Sequence, residues 1–462
     1  HVDELERQIF ELLETLASDG VAAETIEGII DSIEMAQRDL GGNSYPYGLQ
    51  LMSRMLPGFV YDDSPAALLK LEQYIETLRI KAGHADYVPT LIRKYLIDNT
   101  HRTRIVMWPD PEKAIRDQQS EQSKLSEIKA QMDNAAETAL REKIQALNER
   151  QARVEDPDIL PSVTLADVPT DVVKIQGEEE AVAGRIIHTF SQPTNGLFYA
   201  NVIFDISSLN VEEMKYLPFF TEFLLELGCG SNSYTDTQER RSRLGVFGAY
   251  ASARNQPAAI DTVNGRLVIS AKTLAKKTSL LVAELSGIML KLRLDETERL
   301  TDLVVQERAD AESSVIDRGH EIAMLGAAAG LTPSASLDDY WQGPTSILLS
   351  QQLEKAFENN GKAEELNNTF LSIRTKLLSR PCQILYVGER STIDEALVAS
   401  RDIVFDSFEG KLLDAEQRAV QALPAAASGV GWLASSQINF CARAHSAVAV
   451  GDPAVAPLMV LA

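Results

Sequence analysis

Six histidines are the residues of this 462-residue chain best suited to metal or general-base chemistry: His1, His84, His101, His188, His320 and His445. No two lie three or four residues apart, so no helix can present a histidine pair to one zinc ion. His320-Glu321 is the one histidine–acid neighbour pair, and adjacent residues on a helix point in different directions. The chain has no P-loop and no G-x-S-x-G. Gly228-Cys229-Gly230 lacks the third glycine of a dinucleotide fingerprint and reads as a helix C-cap and turn. The cysteines Cys229, Cys382 and Cys441 are few, odd in number and far apart, which indicates neither a disulfide framework nor a cysteine zinc site.

The most regular stretch runs from Leu197 to Ser231: strand, turn, helix. Asn210 and Glu213 have the spacing of a capping box. Met214, Leu217, Phe220, Leu224 and Leu227 then form a core-facing stripe at helical spacing. Burial of each large side chain contributes roughly 1.5–3 kcal/mol. Such a helix packs; nothing on it can ligate a metal.

Around it the expected elements are mixed. Residues 1–100 read as helices, with apolar faces at Leu5, Ile9, Leu12 and Leu13 and at Ile26, Ile29, Ile30 and Ile33. Ser64-Pro65 has the form of a helix start. Arg102–Trp108 reads as a short strand stopped by Pro109. Residues 110–153 are highly charged and lack aromatics. Leu125, Ile128 and Met132, then Leu140, Ile144 and Leu147, predict two antiparallel helices sharing a narrow apolar seam. Glu155-Asp156-Pro157 ends them and an extended linker follows. Strands are expected at Ile186–Phe190, Phe198–Ile206, Val246–Ala253, Arg266–Ala271 and Gln383–Val387, and again at Gln437–Ala442. Helices are expected at Thr278–Lys291, Glu296–Ala328, within Ser334–Phe357, and at Glu364–Leu378. Residues 91–114 and 371–396 share one order: helix, basic connection, apolar strand, acidic turn, helix. This weak internal repeat suggests two related domains flanking the charged hairpin.

Bulk properties narrow the function. At roughly 150 residues per domain the length suggests about three domains. A net charge of −23 repels phosphate backbones and argues against nucleic-acid binding. It would steer basic ligands inward. No apolar run reaches the roughly 18 residues of a membrane helix. HVDELERQIFELLETL reads as an acidic amphipathic helix, not a secretory leader. The chain opens on His1 and stops at Ala462 inside VAPLMVLA, so a portion of a longer protein is expected.

A family resemblance follows from the charged hairpin, the linker LPSVTLADVPTDV (160–172), GLFYANVIFDISSL (196–209), LPFFTEFLLELG (217–228), SSVIDRGHEIAMLGAAAGLT (313–332) and LDDYWQG (337–343). In this order they resemble presequence-protease-like members of the pitrilysin/insulinase zinc metallopeptidases. The similarity runs along the whole chain.

The resemblance implies an α+β (mixed α/β) fold of repeated pitrilysin-type domains. Each would be a mostly antiparallel sheet packed with helices, linked by an antiparallel helical hairpin. It places the end of an α/β domain at 1–109, the hairpin hinge at 110–157 and a linker at 158–171. A non-catalytic domain spans 172–428, and 429–462 begins a further one. The family's zinc motif, H-x-x-E-H, lies in a first domain that is not in this chain. Thr221, Leu224 and Leu225 stand at the corresponding helix positions. Arg243 with Gly248-Ala249-Tyr250 looks like the family's substrate-binding Arg and Tyr, but lies in the wrong domain with a different spacing. No catalytic, metal or substrate-binding residue is therefore assigned.

The expected parent is a zinc metalloendopeptidase that degrades short unstructured peptides in a closed chamber. This segment would supply hinge and wall and be inactive alone. Its partners would be the peptide and the zinc-bearing amino-terminal half, with no cofactor, nucleic acid or membrane of its own. A reducing compartment, cytoplasm or organelle matrix, is expected. The alternatives are a zinc-less partner or structural subunit of the same superfamily, or a coiled-coil binding module at 110–153.

Overall fold

The computed structural model describes residues 1–40, 46–61, 64, 66, 69–154, 159, 162, 164–171, 174–183, 185–358, 362–402, 420, 423, 431–433 and 438–461. These fall into two units, His1–Gly20 with Val88–Lys174, and Val21–Tyr87 with Ile175–Ala462.

In chain order the helices before the sheet are α1 (Val2–Asp19), α2 (Ala23–Arg38), α3 (Tyr47–Val60), α4 (Leu71–Ala82), α5 (Tyr87–Ile92), α6 (Lys113–Gln131) and α7 (Asn134–Ala152). The larger unit adds β1 (Glu178–Val182), β2 (Arg185–Ser191), β3 (Leu197–Asp205), α8 (Val211–Phe223), α9 (Tyr234–Leu244), β4 (Val246–Gln256) and β5 (Ala259–Leu274). After these come α10 (Thr278–Leu290), α11 (Thr297–Ala328), α12 (Pro333–Gln342), α13 (Pro344–Glu358), α14 (Lys362–Leu378), β6 (Cys382–Gly388), α15 (Arg390–Ala399) and α16 (Val455–Leu461).

The larger unit is built on a six-stranded sheet in the order β1-β2-β6-β3-β5-β4. Every neighbouring pair is antiparallel except β2 with β6, which is parallel. The α+β class with a mostly antiparallel sheet is therefore observed. The cause is visible in β3, where burial alternates residue by residue as period-2 patterning requires. Phe198, Ala200, Val202 and Phe204 are buried, and Leu267, Ile269, Ala271, Ile384 and Tyr386 continue that face across the neighbouring strands. Met214, Leu217, Phe220 and Leu224, with Leu281, Leu285 and Ile288 of α10 and Phe370 of α14, complete the same core. The strands expected at 186–190, 198–206, 246–253, 266–271 and 383–387 are all present. So are the helices expected at 278–291, 296–328 and 364–378; the one expected within 334–357 is two, α12 and α13, split at Gly343. β1 is an addition: its acidic Glu178-Glu179-Glu180 gives no strand signal, and it forms by pairing with β2.

Four expectations need correction. Arg102–Trp108 forms no strand; it is extended chain without a ladder partner, and Ile105, Met107 and Trp108 are 80%, 90% and 74% exposed. A strand is held by hydrogen bonds to a neighbour, and none is at hand. The internal repeat is thus broken at its strand. Residues 110–153 do form two helices, α6 and α7, with Asp133 capping α7 through a 2.7 Å bond from the Ala136 amide. The apolar seam between them is not closed: Leu125, Ile128, Leu140, Ile144 and Leu147 are 46–57% exposed and the helices are not packed along their length.

The third correction concerns the face of α2. The buried residues are Gly28, Ile30, Asp31 and Met35, while Ile29 and Ile33 are exposed. The acidic side of this helix turns inward because cations wait for it there. Fourth, residues 438–442 are irregular, so no strand begins there; Gln437 lies outside the described residues. So do Pro65 and Glu155-Asp156-Pro157, on which two predicted boundaries rest. Of the linker, Leu165–Asp167 forms a short 3-10 turn capped by Thr164 and Asp167.

Candidate functional site

The strand–turn–helix segment is the place to look for chemistry, and its construction explains what occupies it. Asn210 starts α8 with a full capping box: its side-chain oxygen accepts from the Glu213 amide at 2.9 Å, and the Glu213 carboxylate accepts from the Asn210 amide at 2.8 Å. Glu213 is buried and also receives Ser372 Oγ at 2.6 Å and Lys376 Nζ at 2.7 Å, both from α14. Burial pushes its carboxyl up, but these donors outweigh burial and hold it below its ordinary value. A carboxylate so tied is an anchor, not a general base.

Pro218 sits inside α8 and has no N–H to give the carbonyl of Met214. That carbonyl accepts the indole N–H of Trp341 from α12 at 2.9 Å instead. Further along, Thr221 Oγ1 donates to the Leu217 carbonyl at 2.7 Å. Thr221 and Leu224 are buried, and Leu225 is half-buried against the same core. The three positions that would face a metal are therefore spent on packing and one intrahelical bond. Two methyl-ended side chains and a satisfied hydroxyl supply no zinc ligand set, which calls for imidazole, thiolate or carboxylate. Zinc does not fit here.

After α8 the chain turns through Cys229, and Gly230 takes φ +66°, a left-handed conformation suited to glycine. The carboxylate of Glu296 clamps this turn, accepting the Gly228 amide at 2.7 Å and the Tyr234 amide at 3.0 Å. Cys229 itself is buried, its amide bonded to Thr237 Oγ1 at 3.1 Å.

A groove of about 960 Å³ opens between this turn, α2, α9 and α10. Its charges are already paired. Glu284 is buried and accepts from Arg240 and Arg241, each at 2.8 Å. Arg243 donates to Thr25 Oγ1 at 2.7 Å and pairs with Glu239. The backbone of Arg243 runs so close to α2 that a Cβ on Gly28 would lie 2.8–3.0 Å from it, which is why glycine stands there. Tyr250 is half-exposed on β4, opposite Val268 on the sheet face away from the helical core. Arg243 is thus committed to α2, and the two do not form a joint site.

A second cluster went unread in the sequence. Asp31 is buried and receives Arg79 Nη2 at 2.6 Å, Lys276 Nζ at 2.6 Å and Lys277 Nζ at 2.5 Å. Glu34 accepts Arg79 and Arg38 at 2.7 and 2.8 Å. Burial pushes both carboxyls up, and the surrounding cations more than reverse it, so both lie below their ordinary values. Asp39 adds Lys272 at 2.5 Å and the Tyr199 hydroxyl at 3.2 Å; burial first, then that carboxylate, pushes the phenol up to about 12. These pairs fasten α2 and α4 to the β5–α10 corner. The only advance signal was Lys276-Lys277 at the end of a strand.

The histidines stay apart. His188 lies on β2 with Glu179 at 3.8 Å, and His320 is exposed beside Glu321 at 3.9 Å. Among the described residues no three His, Cys, Asp or Glu side chains are grouped to hold a metal ion. No helix among them is long and apolar enough to cross a membrane.

A sheet carrying a metal-less helix where a peptidase domain would carry its ligands defines a peptidase-related, structurally committed domain. The chain belongs to the family described as Peptidase M-16C associated, which matches residues 107–353. It is a presequence-protease-like member. It is similar to presequence protease 1, chloroplastic/mitochondrial, of Arabidopsis thaliana, 26% identical over 82% of this chain and 36% of that protein. Protein HypA of Clostridium perfringens is 27% identical over 74% of this chain and 35% of its own length. The mitochondrial presequence protease of Xenopus laevis is 24% identical over 73% and 33%. The chain thus spans about a third of the length of these relatives.

Proposed function

We propose that this chain is the hinge and far wall of a zinc metalloendopeptidase that degrades short unstructured peptides inside a closed chamber. The observation that carries the reading is α8: its Thr221, Leu224 and Leu225 are committed to the core, in the strand–turn–helix setting where a catalytic domain would place its ligands. The contribution of this chain is enclosure, which excludes folded proteins by size and closes over the reacting half. α6 and α7, joined only through Met132 and Asp133 and exposed along their lengths, serve as the hinge. The domain limits 1–109, 110–157, 158–171, 172–428 and 429–462 follow from this arrangement. Zinc belongs to an amino-terminal half of the same protein, and no residue described above would hold it.

The partners are that half and an extended peptide, with basic peptides favoured by the net charge of −23. That charge is also why nucleic acid is not a partner. The named mitochondrial and chloroplastic relatives support an organelle matrix as the place of action.

The test is direct. The chain incubated with zinc and an unstructured peptide is expected to leave the peptide intact, and a full-length protein is expected to cleave it in a chelator-sensitive manner. Chelator-sensitive cleavage by the chain alone would overturn the assignment. A full-length protein without H-x-x-E-H and without cleavage would make it the zinc-less subunit instead.

A further inference from the structure

We propose that Arg102–Trp108 is the central strand of a second mixed sheet, docking between two strands of the same full-length protein that lie outside this chain, one parallel and one antiparallel. The inference rests on the reading above that the chain is part of a longer protein.

The argument begins with exposure. Ile105, Met107 and Trp108 are 80%, 90% and 74% exposed, in consecutive extended residues. Clustered apolar exposure of this kind marks an interaction surface. The basic residues of the same segment are engaged: Arg104 pairs with Asp3 at 2.7 Å and Glu6 at 2.6 Å, and Arg102 lies over the Phe10 ring at 4.4 Å. The polar positions are thus tethered to α1 while the apolar ones have no cover.

The internal repeat supplies the partner. Ile92-Arg93 matches Ile373-Arg374, and the acidic turn at Asp110 matches Glu389, just before α6 and α15. With the turns in register, Ile105 falls on Ile384, Val106 on Leu385, Met107 on Tyr386 and Trp108 on Val387. Those four positions belong to β6, which lies inside its sheet, parallel to β2 and antiparallel to β3. Ile384 and Tyr386 are 4% and 2% exposed, whereas Leu385 and Val387 face the more open side. A segment of this pattern is built to be paired along both edges, so its partner is a gap between two strands and not a single sheet edge. Ile105 and Met107 would turn to a helical layer, Val106 and Trp108 to the open face.

Hydrogen exchange on the full-length protein tests this, with a peptide of residues 102–110 giving the unprotected rate. The amides of Arg104–Trp108 are expected to exchange about 1,000-fold more slowly than in the peptide, or slower still. Rates within about tenfold of the peptide would overturn the proposal. Ile105→Ser and Met107→Ser should each lower the thermal midpoint of the full-length protein clearly more than Val106→Ser. Equal shifts at all three positions would remove the strand. If Ile105→Ser prevents folding, Ile105→Val is read against Val106→Ala. Protection that grows with protein concentration and accompanies dimers would give the gap to a second copy and overturn the proposal. Peptidase activity measured on the same preparation keeps the two readings apart. Cleavage without protection sinks the strand alone, and protection without cleavage sinks only the functional assignment.

Discussion

Residues 102–108 and 382–388 are two similar apolar runs with opposite fates. The second is β6, paired on both sides and buried on alternate residues. The first lies open, with no ladder at all. Local preference for extended backbone is shared, and what differs is the presence of neighbours with free N–H and C=O groups. A strand is therefore a property of its surroundings more than of its residues.

Substitutions can break or sharpen that contrast. The largest effect is expected from Ile384→Asp in β6, which buries a carboxylate without a partner in the core; a loss of about 4 kcal/mol or more is expected in a denaturant titration. The same change at Ile105 is expected to move stability by no more than about 0.5 kcal/mol in this chain, because that side chain has no cover to lose. A large loss at Ile105 would mean that the segment is packed after all. Next comes Asp31→Ala, which strands Lys276, Lys277 and Arg79; a cost of about 3 kcal/mol is expected, seen as a lower denaturation midpoint. It asks whether α2 is fastened by charge, as its buried acidic face indicates, or by apolar contact. Trp341→Phe leaves the Met214 carbonyl without a donor and should cost about 1–3 kcal/mol.

The smallest and most diffuse effect is that of acid. Asp31, Glu34 and Glu213 all have folded-state values below their ordinary ones. The stability they add is complete above the ordinary carboxylate range, about pH 4, and is lost as pH falls through their lowered values. Thermal midpoints measured from pH 7 downward should thus hold until about pH 4 and then drop, less so in Asp31→Asn. A midpoint that rose on acidification would contradict the direction of all three shifts.

Much of the sheet was legible because its strands alternate in hydrophobicity and its helices repeat at three and four residues. β2 to β6 and α8 to α14 follow those periods. The limit of that legibility is set by what packs against what. The stripe Ile26, Ile29, Ile30, Ile33 marked α2 as a helix but named the wrong face, since Asp31 and Glu34 meet cations that are distant in sequence. The seam of α6 and α7 is real in spacing and open in space, as two short apolar rows on charged helices bury too little to hold each other. At the candidate site, residue type alone withheld a metal role from Thr221, Leu224 and Leu225. It could not reveal that Pro218 frees a carbonyl for Trp341, because that bond joins residues 127 apart.

The proline in α8 has one more consequence, an optical one. The chain has three tryptophans. Trp341 is buried with its indole hydrogen-bonded, while Trp108 and Trp432 are 74% and 47% exposed. Steady-state emission would therefore contain a shielded component that reports the docking of α12 on α8, and quenchable components that report the open ends of the chain. With Trp432 replaced, a soluble quencher reads Trp108 nearly alone, so covering of the 102–108 segment could be followed by fluorescence as it happens.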